Sequence, residues 1–316
     1  MEQKMTFFNT GAGLLPVAAT MIAMFGCTAF IPMFFSGTNA QNVWMQVVQL
    51  TVVGCAVCVS VRAKGPDFSI AAVMGLTMLV VGQFSAQGYG WAAGLVVALL
   101  VAAGIGALNG AVALYTPVPA PAITLIVLVG LRVLLGVIPA RPEAMEDIPR
   151  FGRSALAAAV FLAAVVTAVF LFVFFTRLKT PFNRRQKGGK ELSYLLAYVV
   201  SSVLGALAAF FLASRLGAAI VTVSADTTLY IVFVAAAIYA SRAFDNGLLP
   251  VLYVLLLAFL WALMSNVMNL LAISSFVQDV LVRLPLAAGM AVLACFTSEW
   301  RAKKAVQPID YAGKIQ

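Results

Sequence analysis

The chain contains no histidine, and charged residues make up only 10% of its 316 residues. Without histidine it lacks the commonest general base and the commonest metal ligand. Hydrophobic residues make up 63% of the chain, which leaves too few polar side chains to cover a soluble domain. This composition excludes a soluble enzyme, a disulfide-stabilised scaffold and a nucleic-acid-binding domain, and it predicts a polytopic membrane protein.

The chain has only four cysteines, and its charge is predominantly positive, with a net charge of +9. Cys27, Cys55, Cys58 and Cys295 all lie in apolar runs. We interpret the C-x-x-C of Cys55 and Cys58 as packing residues of a membrane helix rather than as a redox motif. An excess of Lys and Arg is expected in the cytoplasmic loops of a membrane protein, so we assign the positive charge to membrane topology.

Apolar runs separated by helix breakers predict about ten membrane helices, because one span takes about 20 apolar residues. The architecture should be all-α, since in lipid each backbone N–H must be satisfied within its own segment. The predicted spans are approximately 12–35, 43–61, 69–86, 91–115, 120–138, 154–176, 192–214, 227–241, 247–271 and 279–298. Residues 1–316 are expected to form a single transmembrane domain, with a short N-terminal segment, 1–11, before a retained first helix, and a C-terminal tail, 299–316.

Basic residues in the predicted loops indicate the orientation. Loop 177–190 carries six basic residues and no acid: Arg177, Lys179, Arg184, Arg185, Lys187 and Lys190. The C-terminal tail adds further basic residues. With an even number of spans, both termini and this loop lie on the same side of the membrane, which is predicted to be the cytoplasm.

A turn or a break in a membrane helix is expected at residues 62–69 (RAKGPDFS). Gly65 and Pro66 end one helix, and the side-chain oxygen of Asp67 or Ser69 is placed to cap the next. These residues fit a tight cytoplasmic turn. They also fit a broken membrane helix whose free backbone groups line a transport path.

Small residues and prolines mark the fourth predicted span and the start of the fifth. Gly106 and Gly110 have the spacing that lets two membrane helices approach closely. Residues 116–121 (TPVPAP) cannot continue a regular helix, so a new helix begins there with Thr124 in its first turn. Arg132 lies in the middle of that helix, where it either faces a polar interior or a partner, or extends towards the membrane surface.

Several segments together resemble the motifs of one family. They are residues 65–69 (GPDFS), 106–110 (GALNG), 119–125 (PAPAITL), 131–132 (LR), 196–209 (LAYVVSSVLGALAA), 213–217 (ASRLG) and 269–278 (NLLAISSFVQ). In this order and spacing the chain resembles the membrane subunits of ribose-type (monosaccharide) ABC importers, a group that includes branched-chain amino acid and nucleoside permeases. The resemblance extends over about residues 43–298.

The resemblance implies a fold and a function. The fold would be a ten-helix type II ABC importer permease with two inverted halves, in a bacterial inner membrane. The function would be to pass a sugar or sugar-like solute from an extracytoplasmic binding protein to the cytoplasm, together with a second permease subunit. The path residues implied by the motifs are Asp67, Phe68, Ser69, Asn109, Thr124, Arg132 and Asn269.

The chain itself is expected to be neither an enzyme nor a cofactor-binding protein. It has no phosphate-binding sequence of the G-x-x-x-x-G-K-[ST] type. The resemblance implies that separate cytoplasmic subunits bind ATP and Mg and hydrolyse the ATP. No catalytic residue and no metal ligand is therefore expected in this chain. Besides the protein subunits, its expected partner is the lipid bilayer.

Two cytoplasmic segments depart from the family pattern. Loop 177–190 is shorter and more basic than the family's ATPase-docking loop, and residues 239–250 lack the expected glycine-rich motif. We expect an altered ATPase contact that involves the basic residues of this loop together with Arg242 and Asp245. On the outer side, loop 139–153 fits either a solvated segment or a docking site for the binding protein. The docking candidates are Glu143, Glu146 and Asp147.

Other functions stay open at this point. A non-transporting structural or regulatory membrane subunit would keep the fold and lose the coupling, and a nucleoside or amino-acid permease would share these helices. A proton- or ion-driven carrier is disfavoured. Proton relays use Asp, Glu or His within spans, and the acids here lie at predicted helix ends.

Overall fold

The computed structural model describes residues 33–63, 65–138, 191–220 and 249–278 in continuous runs. It also describes a few short pieces: 22, 25–26, 31, 143–144, 148, 159–163, 165, 280, 284–285 and 288–289. The predicted spans 12–35, 154–176, 227–241 and 279–298 lie largely or wholly outside these residues.

The described residues are mostly helical. The helices are α1 (Gly37–Arg62), α2 (Ile70–Ala86), α3 (Trp91–Tyr115), α4 (Ala120–Val137), α5 (Glu191–Leu216), α6 (Leu249–Leu270) and α7 (Ser275–Gln278). Two short strands, β1 (Glu143–Ala144) and β2 (Ala218–Ala219), pair in antiparallel fashion. In register, Glu143 lies opposite Ala219 and Ala144 lies opposite Ala218.

Four of the described helices, α1, α3, α4 and α5, are long and apolar enough to cross a membrane. Helix α2 and the Leu256–Leu270 part of α6 are shorter apolar helices. A chain of about 26 residues in helical form, such as α1 or α5, extends about 39 Å, which exceeds the hydrocarbon thickness of a bilayer. The described part of the chain is therefore consistent with an all-α membrane protein.

The bounds of α2 to α6 lie within two residues of the predicted spans. Helix α1 differs, because it begins at Gly37 and not near residue 43. The reason is a capped start: Ser36 Oγ accepts a hydrogen bond from the Asn39 N–H at 3.2 Å, and Asn39 Nδ2 donates to the Phe34 carbonyl at 2.8 Å. These bonds satisfy polar groups at the start of the helix and extend it towards its N-terminus.

Helices α1 and α5 form the centre of the described bundle. Most side chains of α1 are buried, and it packs against α5 and α6, while α5 also contacts α2 and α3. Ser201 Oγ donates to the Ala56 carbonyl at 2.9 Å, and Tyr198, three residues earlier, reaches Gly65. The two helices are therefore antiparallel. Cys55 and Cys58 are free and buried in this core, as the packing interpretation requires.

Small residues bring α3 close to α5. A Cβ added to Gly106 would lie 2.8 Å from Val199 Cα and 2.9 Å from Ser202 Oγ, and one added to Gly110 would lie 3.2 Å from Leu195 Cα. Helix α3 is thus antiparallel to α5, and its glycines face α5 at close range, as the four-residue spacing predicted.

The sides of α3 and α4 that face away from the described bundle form an exposed apolar surface. Leu100 and Leu108 of α3 and Ile126 and Val133 of α4 are large hydrophobic side chains that the described bundle leaves exposed. Surfaces of this kind are unfavourable in water and ordinary in lipid. This face is compatible with contact to a bilayer.

Candidate functional site

The connection between α1 and α2 is short and folds back into the bundle. Helix α1 ends at Arg62, the N–H of its C-cap Ala63 donates to Val59 O, and Pro66 prevents its continuation. Tyr198 OH then donates to Gly65 O at 2.7 Å, and Ser202 Oγ lies 3.5 Å from Asp67 Oδ2. Successive residues of the connection thus contact successive turns of α5. The connection runs alongside α5 and does not project beyond the end of the bundle.

The position of Asp67 along α5 distinguishes the two interpretations of this segment, a tight cytoplasmic turn and a broken membrane helix. Ser202 lies eleven residues after Glu191, which is about 16 Å along a helix of about 39 Å. Asp67, which contacts Ser202, is therefore near the middle of α5. This placement agrees better with a break inside a bundle of membrane helices than with a turn at its edge.

Asp67 is fully buried, with 0% of its surface exposed. Its Oδ1 accepts hydrogen bonds from the Ser69 N–H at 2.9 Å and from Ser69 Oγ at 2.6 Å, and Ser202 Oγ donates to its Oδ2 at 3.5 Å. Burying an ionised carboxylate is costly, and each donor offsets part of that cost. The Asp67 N–H in turn donates to Ser60 Oγ at 3.3 Å.

Ser69 stands at the N-cap of α2, but its side chain does not cap the helix in the expected way. Within the described residues its Oγ makes no capping bond and donates instead to Asp67. The same Oγ accepts a hydrogen bond from Asn109 Nδ2 of α3 at 2.9 Å. Asp67, Ser69, Asn109 and Ser202 are all fully buried, and we call these four residues the buried polar cluster. They join α2, α3 and α5 to the connection.

Helix α4 is tied to the same connection through Thr124. The Phe68 N–H donates to Thr124 Oγ1 at 3.1 Å, and Thr124 Oγ1 has two acceptors in reach, Pro66 O at 3.3 Å and Pro121 O at 3.2 Å. Residues 116–119 between α3 and α4 are non-helical, as their prolines predicted. Two helix breaks therefore meet beside α5.

Gly65 is needed where the connection meets α5. A Cβ at this position would overlap the Tyr198 hydroxyl and would lie 2.6 Å from Ala120 Cβ at the start of α4. Both contacts are closer than packed side chains tolerate. The sequence predicted Gly65 as a helix breaker, and the structure adds this close approach.

Five of the seven predicted path residues come together: Asp67, Phe68, Ser69, Asn109 and Thr124. Arg132 lies elsewhere, exposed on α4 two turns beyond Thr124. Asn269 is also exposed, at the C-terminal end of α6. The sequence resemblance grouped these two residues with the others by motif, whereas contact in the folded chain depends on the helix face and on the packing of α4 and α6.

Asn269 belongs to a separate turn between α6 and α7. Its Oδ1 accepts from Gln278 Nε2 at 3.0 Å, and the same Nε2 donates to Ile273 O at 2.8 Å. Helix α6 ends with bonds from Ile273 N to Met268 O and from Ala272 N to Asn269 O, with Ala272 left-handed at a φ of 55°. This is the Schellman arrangement. We call residues 269–278 the α6–α7 turn.

Sequence reasoning missed Tyr198 and Ser202. Both residues are fully buried on α5, and both bond to the α1–α2 connection. Their spacing of four residues places them on one helix face. Hydroxyl groups at this spacing in an apolar helix are the signal that indicates them.

The remaining predicted sites fall outside the described residues. These are the ATPase-facing candidates Arg177, Lys179, Arg184, Arg185, Lys187, Lys190, Arg242 and Asp245, and the docking candidates Glu146 and Asp147. For Glu143 only the backbone is described, in β1. In the part of the chain that the structure describes, no group of three or more His, Cys, Asp or Glu could hold a metal ion.

Comparison with known proteins adds no relative: no protein-family model matches the chain, and neither the curated proteins nor the solved structures contain a match. The resemblance to importer permeases therefore depends on the motifs of the sequence alone.

Proposed function

We propose that this chain is a membrane-spanning permease subunit of an ATP-driven importer that passes a sugar or sugar-like solute into the cytoplasm. The observation that carries the proposal is Asp67, a carboxylate buried beside the middle of the long apolar helix α5. An ionisable residue among membrane helices is costly, and it commonly marks a transport path.

The two helix breaks give this proposal its mechanism. Transporters place solute and ion sites where helices are interrupted, because the backbone there has polar groups that regular helix would use internally. Residues 65–69 and 116–119 are such interruptions, and the Phe68 N–H of the first bonds to Thr124 in the first turns of α4, directly after the second. A movement of α4 or α5 relative to the α1–α2 connection would separate polar groups that now contact one another and expose them to a passing solute.

The full assembly is part of the proposal. Ten spans in two inverted halves, a second permease subunit, cytoplasmic ATP-binding subunits and an extracytoplasmic binding protein follow from the motif resemblance. The chain would lie in the inner membrane of a bacterium with both termini in the cytoplasm. It would act without catalytic residues, since energy would come from its partners.

Purification from the native membrane followed by reconstitution tests the proposal. The chain should copurify with an ATP-binding subunit, and the complex should take up solute in the presence of its binding protein and hydrolysable ATP. A non-hydrolysable ATP analogue is the control and should not support uptake. Uptake that survives ATP depletion and collapses with an uncoupler would contradict the proposal, and would favour an ion-driven carrier.

The burial of four of the predicted path residues favours a second candidate, a non-transporting structural or regulatory subunit. Asp67, Ser69, Asn109 and Thr124 have no exposed surface in the described structure. In this function the polar contacts would fix the helices permanently. Recovery of a stable homodimer without any ATPase, together with absence of uptake in every energised condition, would select this candidate over the importer.

A further inference from the structure

Helices α2, α4 and α5 lead away from the α1–α2 connection in the same direction. Contacts along the chain advance together in all three helices. For α4 they are Phe68 with Thr124 and then Val73 with Leu131, and for α5 they are Asp67 with Ser202 and then Val73 with Ala206. The C-terminal ends of these three helices therefore lie at the same end of the described bundle.

Two short strands join the ends of α4 and α5 there. Gly217 follows the end of α5 in a left-handed conformation with a φ of 66°, and β2 begins at the next residue. Strand β1 follows α4, and its first residue lies six positions after the end of that helix. The strands pair in antiparallel fashion with Ala144 opposite Ala218, so backbone hydrogen bonds connect the two helix ends. We call residues 143–144 and 218–219 the strand pair.

The strand pair is fixed to the rest of the bundle. Both strands contact α2, and β2 also contacts α5. Ala219 is buried, and Ile148, four positions after β1, belongs to the main hydrophobic core. Because α4 and α5 both pack against α2, the strand pair bridges the two helices over α2. Residues 87–89, which follow α2, are exposed at this end of the bundle.

Helices α4 and α5 are thus linked at two places, and the two links differ in strength. At the α1–α2 connection, Thr124 and Tyr198 bond to it from within the bundle, where water does not replace a lost partner. The strand pair has only two residues in each strand, and an isolated pair of strands is marginally stable in water. The strand pair is therefore the link that separates at the lower cost.

We propose that the strand pair closes the outer end of the solute path by holding the ends of α4 and α5 together, and that it separates to admit solute. The sequence places loop 139–153, which contains β1, on the outer side, from which an imported solute arrives. Alternating access requires that one end of a path closes while the other opens. The proposal rests on the importer function proposed above and names the segment that controls entry to its path.

A reversible cross-link between the strands tests this proposal. In a background without the native cysteines, Ala144→Cys and Ala218→Cys are combined, because opposed residues of antiparallel strands lie within the Cα distance that a disulfide spans. Oxidation of the reconstituted complex should form the disulfide and abolish ATP-dependent uptake of radiolabelled pentoses and hexoses, and a reducing agent should restore it. Each single variant, oxidised in the same way, is the control and should keep its uptake.

Complete cross-linking that leaves uptake unchanged would overturn the proposed closure while the importer proposal stands. Absence of a disulfide after oxidation would overturn the strand pairing on which the closure depends. If the single variants take up no sugar before oxidation, the importer proposal fails and the closure fails with it, so the two failures are distinguishable. The second opposed pair, Glu143→Cys with Ala219→Cys, repeats the test if the first double variant does not assemble.

Discussion

The α1–α2 connection and the α6–α7 turn are both held by polar side chains, but the bonds differ in range. Around Asp67, the bonds that reach α3 and α5 join residues 40 and 135 positions apart in the sequence, and the groups are buried. In the α6–α7 turn, the bonds from Gln278 to Ile273 and Asn269 join residues five and nine positions apart, and Asn269 is exposed although Gln278 is buried. The first set of bonds positions helices relative to one another, and the second fixes the course of a single turn.

This difference predicts how strongly a substitution in each region lowers the free energy of unfolding. A lost bond in the buried cluster leaves polar groups without water to replace their partner, and it loosens contacts between several helices. A bond lost at the exposed Asn269 of the α6–α7 turn is replaced by water. Substitutions at the connection should therefore reduce the free energy of unfolding more than substitutions in the turn.

Gly65→Ala should have the largest effect. The added Cβ would overlap the Tyr198 hydroxyl and approach Ala120 Cβ to 2.6 Å, so the start of α4 and the face of α5 must both move. We expect a loss of about 3 kcal/mol in the free energy of unfolding, measured by denaturant titration in detergent. Gly104→Ala on α3 is the control, since an added Cβ there meets nothing within 4 Å among the described residues. Equal stability of the two variants would contradict the close approach.

Asp67→Ala should be the next most damaging change. It removes the acceptor used by the Ser69 N–H, Ser69 Oγ and Ser202 Oγ, all of which are buried. The expected loss of unfolding free energy is about 2–3 kcal/mol, by the same titration. Asp67→Asn keeps one acceptor oxygen and should lose less. If the two variants lost the same amount, the hydrogen bonds to Oδ1 would not be the source of the effect.

Tyr198→Phe should produce a smaller loss. The ring still packs, but Gly65 O loses a donor at 2.7 Å, which should reduce the free energy of unfolding by about 1–2 kcal/mol. Tyr115→Phe on α3 is the matched control, because Tyr115 is 79% exposed. Its stability should stay at the wild-type value. A Tyr198→Phe variant as stable as this control would show that the bond to Gly65 does not hold the connection.

The smallest effects are expected at two helix ends that share one geometry. Helix α2 ends with Gly88 at a φ of 80°, where α6 has Ala272 at a φ of 55°. A left-handed conformation costs alanine about 1 kcal/mol more than glycine. Ala272→Gly should therefore gain, and Gly88→Ala should lose, about 0.5–1 kcal/mol of unfolding free energy. Changes of the same sign in both variants would contradict this interpretation.

Helix bounds were the most predictable part of the molecule. Apolar runs and breakers such as Pro66 and Pro119 are local signals, so α2 to α6 could be placed within two residues. The start of α1 was missed because a single bond to Ser36 Oγ decides it. The membrane orientation and the number of spans beyond the described residues stay predictions.

The site was predictable only in part, for a physical reason. Asp67, Ser69, Asn109 and Thr124 lie in short motifs and were found from the sequence. Tyr198 bonds to Gly65 across 133 positions. The hydroxyl spacing on α5 can indicate the residue, but no local pattern indicates which residue it contacts. Arg132 shares a motif with the others, but the rotation of α4 leaves it exposed.

Thiol accessibility during turnover tests the central claim most directly. In a background without the native cysteines, Ser69→Cys is exposed to a membrane-impermeant thiol reagent in native membrane vesicles, with and without ATP and solute. Ala208→Cys is the control, because Ala208 is buried on α5 outside the cluster. We predict that ATP and solute accelerate labelling at position 69 and leave position 208 protected. Equal protection of both positions in every condition would contradict a path through the buried polar cluster.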